Sequence, residues 1–331
     1  MSTILDVASK ANVSVITVSR LLNNPKIVSK KTADKIFQVM DELNYQPSQI
    51  ARSLVNKRTN TIGVIMPDIK NTFFNNWFRF IEDYASKHDF NLLLCNTDED
   101  PDVEMKYVKL LQSQRVDAVI IVPCSKKSVE YLIKSNMRFI LMDRLFKDLD
   151  TDYVTTDHYR GAYEATEYLI KLGHNRIAIL NGPGILYSDI ERTTGFKDAM
   201  KKNDINIDDE LIINCDFNED KACAGVKKLL ERKIKPTAIF SFNSVMTIGV
   251  IKTIQSMNLK IGKDISLLSF DEIPGYEIFQ PKITHVIQPI NILGNDVIVS
   301  LIEKIKDPDL SKRLKKILKP KLIIGESCSK I

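Results

Sequence analysis

The chain has 331 residues and no uncharged apolar run of the roughly 18 residues that a membrane-crossing helix needs. Its opening, "MSTILDVASK", has neither an apolar signal-peptide core nor a cleavage site, so a cytoplasmic protein that makes no use of a membrane is expected. The five cysteines, Cys95, Cys124, Cys215, Cys223 and Cys328, are scattered and never form C-x-x-C. They read as reduced, mostly buried thiols, not as a disulfide framework or a zinc site. His88, His158, His174 and His285 stand far apart with no H-x-x-H or H-E-x-x-H, so no metal is expected. Phosphate-loop, nucleophile-elbow and complete dinucleotide-binding motifs are also missing. "NGPGIL" supplies Gly182 and Gly184 but no third glycine and reads as a loop after a strand. Asp143, Asp157 and Asp271 sit at strand ends, where an open α/β sheet forms its ligand crevice whether or not chemistry occurs there. No nucleophile–base pair stands out, so neither an enzyme nor a cofactor is expected. Solenoid repeats and low-complexity stretches are lacking too. No heptad segment follows the last strand, so a tetramer is not expected.

What is present is unevenly placed. Residues 1–60 hold nine Lys/Arg against four Asp/Glu, while the remaining 271 residues carry 38 of each sign. All the net charge of +5 therefore lies in one small N-terminal segment, the pattern of a polyanion-binding module on a neutral body.

That segment reads as three short helices. Thr3 and Asp6 form a capping box opening a helix to about Ala11. Ser14 caps a second from about Val15 to Leu22, stopped by Asn23-Asn24-Pro25. Ser29 opens a third, about Lys31 to Leu43, with Ala33, Ile36, Phe37, Met40 and Leu43 at helical spacing. Leu5, Ala8, Val13, Val18, Leu21 and Leu22 are expected to supply the facing core. A helix, a tight turn and a second helix with a polar start is the helix-turn-helix pattern. Ser14, Thr17 and Ser19 can bond phosphates, and Arg20 can reach a phosphate or a guanine edge. Val15 and Ile16, apolar at the front of this helix, raise the question of what they meet.

After "SQIARSLVNKRTN", a two-turn helix and a polar link, the texture changes. Buried-strand runs such as "TIGVIMP", "FNLLLCN", "VDAVIIVP", "RIAILNG", "TAIFSF" and "ISLLSFD" alternate with amphipathic helices, the signature of parallel sheets covered on both faces. About 270 residues of it exceed one open sheet. The expected fold is a small all-α helix-turn-helix head plus an α/β core of two doubly wound parallel-sheet subdomains. The expected boundaries are 1–47 for the head, 48–59 for a hinge helix and linker, and 60–331 for the core. Within the core, the N-subdomain takes about 60–160 plus 290–319 and the C-subdomain about 161–289 plus 320–331.

"TILDVASKANVSVITVSRLLNN", "PSQIARSL", "TIGVIMPDIKNTFF", "GHNRIAILNGP", "ERTTGF", "PTAIFSFN" and "ISLLSFDEIP" together resemble the lactose-repressor (LacI/GalR) family of bacterial transcriptional regulators. The match runs over nearly the whole chain in the family's order. Its first block is the specific one; the later blocks alone would also fit the periplasmic sugar-binding proteins that share this core. The resemblance implies a periplasmic-binding-protein-like core and a homodimer on double-stranded operator DNA. It also implies a small-molecule effector, a carbohydrate, held between the subdomains, and a repressor as the regulatory type. The alternative is a global carbon-catabolite regulator using a phosphorylated carrier protein as corepressor. "ILGNDVIVSLIEKI" lacks the arginines such members carry there.

By the same resemblance, the DNA-contacting positions are Thr3, Ser14, Val15, Ile16, Thr17, Ser19, Arg20, Asn23, Ala51 and Leu54. Val15 and Ile16 meet base edges and can read a thymine methyl group, and Arg20 supplies polar readout. Leu54 is the minor-groove wedge. The implied effector positions are Phe73, Asp143, Arg192, Phe217, Asn243 and Asp271, rings and polar groups suited to a polyhydroxyl ligand. Ser244 departs from the Asp often found after Asn243, which leaves the number of hydroxyl contacts open.

Overall fold

The computed structural model describes residues 2–23, 27–46, 58–307, 309–310 and 313–331. The chain divides into two compact units, Met1–Thr59 and Asn60–Ile331.

The first unit contains α1 (Ile4–Lys10), α2 (Val15–Asn23) and α3 (Lys30–Glu42). Thr3 and Asp6 close the capping box on α1, and the Ser29 hydroxyl accepts from the Thr32 N–H at α3. Val7, Ala8, Ala11, Val18, Leu21, Ile36, Val39 and Met40 make a small core. Two expected core residues lie outside it: Leu5 is 64% exposed and Phe37 44%. The reason is helical phase. The inward stripe of α1 runs Ile4, Val7, Ala8, and Leu5 stands a full residue step off it. Phe37 stands likewise beside the inward Ile36.

The second unit holds two six-stranded sheets. The first takes β1 (Thr61–Met66), β2 (Asn91–Asn96), β3 (Ala118–Ile121), β4 (Phe139–Met142), β5 (Tyr153–Thr156) and β11 (Lys315–Leu318) in the order β11-β5-β4-β3-β1-β2. The second takes β6 (Ile177–Asn181), β7 (Ile212–Asn214), β8 (Ala238–Ser241), β9 (Ser266–Phe270), β10 (Thr284–Ile287) and β12 (Lys321–Ile323) in the order β12-β10-β9-β8-β6-β7. Among the described residues, only the β10–β12 pairing is antiparallel. This is the doubly wound α/β core expected from the sequence. Helices cover both faces of the first sheet. Trp77 and Phe74 of α4 (Thr72–Lys87) and Val297 and Leu301 of α11 (Ile290–Lys306) pack on one side. Val108 and Leu111 of α5 (Pro101–Ser113) and Leu132 of α6 (Lys126–Lys134) pack on the other. On the second sheet the helices are α7 (His158–Lys171), α8 (Tyr187–Lys202), α9 (Glu219–Leu230) and α10 (Ser244–Ser256).

Two strands escaped the sequence reading. β11, "KKIL", alternates exposed and half-buried positions; it is an edge strand whose lysines guard the sheet's rim. β10 carries Thr284 and His285, both buried, so its polar letters hide a core strand. Glycine is scarce, twelve in all. The left-handed residues that end α3, α4, α6, α8 and α10 are therefore Asn44, Asp89, Asn136, Asp204 and Asn258, the side chains that best tolerate that backbone after glycine. Among the described residues no helix is long and apolar enough to cross a membrane.

Candidate functional site

On the head, α2 begins where Ser14 accepts from the Thr17 N–H at 3.1 Å, with the two hydroxyls 2.9 Å apart. Each of these groups thus has a neighbour that orients it. Ile16 is 64% exposed, while Val15 is half-buried against the head core. The apolar pair is split: Ile16 is presented and Val15 is partly used inside. Arg20 and Thr3 are exposed, and Thr17 and Ser19 half-buried. The side chain of Asn23, and Ala51, Leu54 and the hinge helix, lie outside the described residues.

In the core, the loops at the carboxyl ends of the strands bring residues of both sheets together, the usual ligand position in open α/β sheets. Phe73, Asp143, Arg192, Phe217, Asn243 and Asp271 all line one inner cavity of about 30 Å³. All six are more than nine-tenths buried. The sequence reading did not select the other lining groups, among them Asp68, Asn71, Phe74, Glu99, Arg144 and Ser188. Glu99 and Arg144 directly follow Asp98 and Asp143 at strand ends, and that placement was the available signal. The cavity adjoins an outer cleft of about 480 Å³, which shares Asp68, Glu99 and Phe217 with it.

Backbone conformation marks the same place. Among the described residues, apart from helix-ending positions and Asn60, the non-glycine residues with left-handed φ are Asp98, Glu99, Asp143, Asp216, Phe217 and Asp271. All six line the cavity or the cleft. Phe217, at φ 54°, is unusual for an aromatic side chain, and such strain gathers at ligand sites. Gly182 makes room for it: a Cβ there would meet the Phe217 ring at 2.3 Å. The glycine of "NGPGIL" therefore seats a cleft ring, while Asp189 accepts from the Gly182 N–H at 2.8 Å and holds the loop.

The buried charges are interlocked. Arg144 donates to both Glu99 oxygens at 2.7 and 2.6 Å and lies 5.4 Å above the Phe217 ring. Arg192 stacks 3.7 Å from the Phe270 ring and donates to the Phe242 carbonyl. Gln288 donates to Asp271 at 2.7 Å. Burial pushes the Asp271 carboxyl above its usual range against the opposing pull of Arg192 and Gln288. Burial also lowers Arg192, against Asp271 and Asp143. Asn243 uses its side-chain oxygen to cap α10 at the Met246 N–H, 2.8 Å away. Ser244 donates across the cleft to Asn71 at 3.4 Å, and Lys147 reaches Glu191 at 2.7 Å. Asp143 lines the cavity, and its Oδ1 is buried without a hydrogen-bond partner. Such a group normally finds a partner, so Oδ1 is an acceptor available to a ligand. Among the described residues no His/Cys/Asp/Glu group is arranged to hold a metal.

Comparison with known proteins gives a consistent result. Residues 3–48 match the model of the bacterial regulatory proteins, lacI family. Residues 59–320 match that of the periplasmic binding proteins and sugar binding domain of the LacI family. The HTH-type transcriptional repressor PurR of Vibrio vulnificus (strain CMCP6) is 35% identical over the full length of both chains. The lac repressor dimer bound to operator and the anti-inducer ONPF is similar with a TM-score of 0.85 and 25% identity, covering 99% of each chain. A LacI family transcriptional regulator from Enterococcus faecium with bound ribose is similar with a TM-score of 0.74 and 30% identity. That likeness covers 82% of this chain and 99% of the other.

Proposed function

We propose, taking as premise that the chain belongs to the LacI family of bacterial transcriptional regulators, that it is an operator-binding repressor controlled by an uncharged sugar. A DNA-binding regulator with an effector, and not an enzyme, is what this family provides; the sugar, its neutrality and the sense of control are the proposal. One observation carries it. Six residues from the loops and helices of both sheet layers converge on one inner cavity that opens into a ligand-sized cleft. Ligand pockets typically measure about 300–1,000 Å³. The inner cavity alone has room for about one or two waters, so a sugar ring that reaches it must part the two halves. Its grip on both halves then sets their spacing, and it shifts that equilibrium by its differential affinity for the two arrangements.

The charge of the cleft selects among sugars. Asp68, Asp98, Glu99, Asp216, Glu219 and Asp220 line it against one cation, Lys70. Ion pairs occupy Asp216 with Lys221 at 2.5 Å, Glu219 with Lys252 and Glu99 with Arg144. Asp68, Asp98 and Asp220 still outweigh Lys70, so a phosphate group would meet net repulsion while hydroxyl groups find acceptors. The ribose in the similar Enterococcus faecium structure supports a sugar of this kind. A two-fold dimer would present two heads to two half-sites about one helical turn apart; the similar lac repressor structure is a dimer bound to operator.

The test is thermal shift on the full chain with D-ribose, D-glucose and cellobiose, and with ribose 5-phosphate and glucose 6-phosphate. A stabilising ligand raises the melting temperature by mass action. A neutral sugar is expected to stabilise the core and to change operator retention in a gel shift. Stabilisation by the phosphorylated sugars alone would overturn the reading.

A further inference from the structure

We propose that His158 is the positioning residue of the effector site, a neutral imidazole protonated on Nε2 that holds the Arg192 guanidinium and ties it to the Asp143 loop. The effector role of Arg192 rests on the reading above; the geometry at His158 does not.

His158 directly follows β5 of the first sheet and Asp157, whose side chain caps α7 at the Arg160 N–H. The chain leaves the first sheet there and enters a helix packed on the second, so the crossover places this ring between the halves. It is fully buried. The Phe270 ring, 5.8 Å away at centroids, and the Tyr187 ring, at 6.0 Å, flank it. On one side, Arg192 approaches Nδ1 with Nε at 3.4 Å and Nη2 at 3.2 Å. On the other, Nε2 faces the Asp143 carbonyl oxygen at 3.2 Å. It also lies 3.2 Å from Asp143 Oδ1, outside hydrogen-bond geometry, and 3.4 Å from the Thr155 hydroxyl, whose own proton goes to the same Asp143 carbonyl at 2.6 Å.

The protonation state follows from the partners. A guanidinium has five N–H donors and no acceptor, so Nδ1 must offer its lone pair. A carbonyl oxygen only accepts, so Nε2 must carry the proton. A doubly protonated ring would set N–H against N–H and cation against cation. His158 thus absorbs two of the Arg192 donors, and the Phe242 carbonyl takes a third. The remaining two N–H groups are left for the cavity that Arg192 lines. The Phe270 ring fixes the plane of the guanidinium and His158 its rotation. Because the same ring is bonded to the Asp143 loop, Arg192 of one half and Asp143 of the other are held in one register.

The experiment uses the full chain with ¹⁵N-labelled histidine and arginine at neutral pH, compared with His158→Asn and His158→Leu. Asparagine places an oxygen acceptor near Nδ1; leucine keeps bulk and removes the acceptor. The expected His158 signals are one protonated nitrogen, Nε2, and one bare nitrogen, Nδ1. A doubly protonated ring, or a proton on Nδ1, would overturn the proposal. The Arg192 Nε–H should exchange slowly with solvent in the wild type and in His158→Asn, and at least about ten-fold faster in His158→Leu. Equal exchange in all three would equally defeat it. If the leucine variant does not fold, the wild-type tautomer still decides. D-ribose is the functional probe: its affinity should fall at least about ten-fold in His158→Leu and recover in His158→Asn. Failure of D-ribose, D-glucose and cellobiose alike to bind the wild type would count against the effector reading, while the ligand-free nitrogen signals would still settle the role of His158.

Discussion

The head and the core use similar polar residues under opposite conditions. On α2, Ser14 and Arg20 are exposed and Thr17 half-buried. They surround an exposed Ile16 on a segment that carries the whole net charge of the chain. In the core, Asp143, Arg192 and Asp271 are buried within a chain segment of no net charge. Arg192 is held by the Phe270 face, the Phe242 carbonyl and His158, and Asp271 by Gln288. The head can therefore lose a polar residue without losing its fold, whereas in the cleft a deletion strands a partner. Recognition is separable from stability in one unit and joined to it in the other.

The largest expected effect tests this separation from the apolar side. Leu21 is fully buried in the head. Leu21→Ala should cost about 2–5 kcal/mol, on the scale of the stability of so small a unit. Operator binding should vanish while the melting of the core and its sugar response stay as they were. Loss of the core transition as well would mean that the two units do not fold separately.

Next come the buried charges. Arg192→Ala and Asp271→Ala each remove a charged hydrogen-bonding group from the cavity, worth roughly 1.5–3 kcal/mol to a bound ligand, or about 10- to 100-fold in affinity. Both variants should keep the operator binding they show without sugar and lose the response to it: with an inducing sugar they repress permanently, and with a corepressing one they fail to repress. Each should also lower the melting temperature, because removing one partner leaves the other charge buried and unpaired. A sugar titration by gel shift, beside a melting curve, checks both halves of the claim. An unchanged response would place the effector elsewhere.

A smaller effect should separate Ile16 from Val15. Ile16→Ala should leave head stability within about 0.5 kcal/mol, as surface changes do. It should relax selectivity at one thymine by about 1 kcal/mol or more, the lower end of what a base-reading contact supplies. Val15→Ala, at a half-buried position, should instead destabilise the head. A selection from randomised operators, paired with thermal melts, reads both. Equal behaviour of the two variants would mean that the burial difference between them has no consequence.

How much of this was legible from sequence follows the same division. The head was readable because its signals are local: Thr3 with Asp6, Ser14 with Thr17, and Ser29 each act within one helical turn. Leu5 and Phe37 went wrong because a stripe one residue out of phase looks equally helical. In the core, apolar runs revealed the strands, except β10, where Thr284 and His285 placed polar letters in a buried strand, and the half-exposed edge strand β11. The six cleft residues were legible through resemblance, not through spacing, since they come from widely separated strand-end loops and from helices α4 and α8. Glu99, Arg144 and His158 went unselected because what defines them is mutual: Glu99 with Arg144, and His158 with Arg192. No window of sequence contains such a pair.

The smallest expected effect concerns pH and a contact far from either site. His174 is 1% exposed, with Nδ1 at 2.9 Å from the Thr237 hydroxyl and Nε2 at 3.1 Å from the Ser329 carbonyl. It pins the C-terminal segment to the second sheet. Burial lowers its pKa from the ordinary 6.5, against the pull of the Ser329 carbonyl. The unfolded chain therefore takes up a proton on this ring at a higher pH than the folded chain does. Over that interval stability rises with pH. The contribution is complete above about pH 6.5 and is lost as pH falls from there through the depressed folded value. Asp271, Asp189 and Glu104 act in the opposite sense at lower pH, since burial raises each of them. The total slope is thus mixed, and only a difference isolates His174. The melting temperature of the wild type, minus that of His174→Asn, should shrink as pH is lowered from 7.5 to 5.5, while operator binding in the variant stays unchanged at pH 7.5. A difference that stays constant across that range would show that His174 contributes packing and hydrogen bonds but no proton linkage.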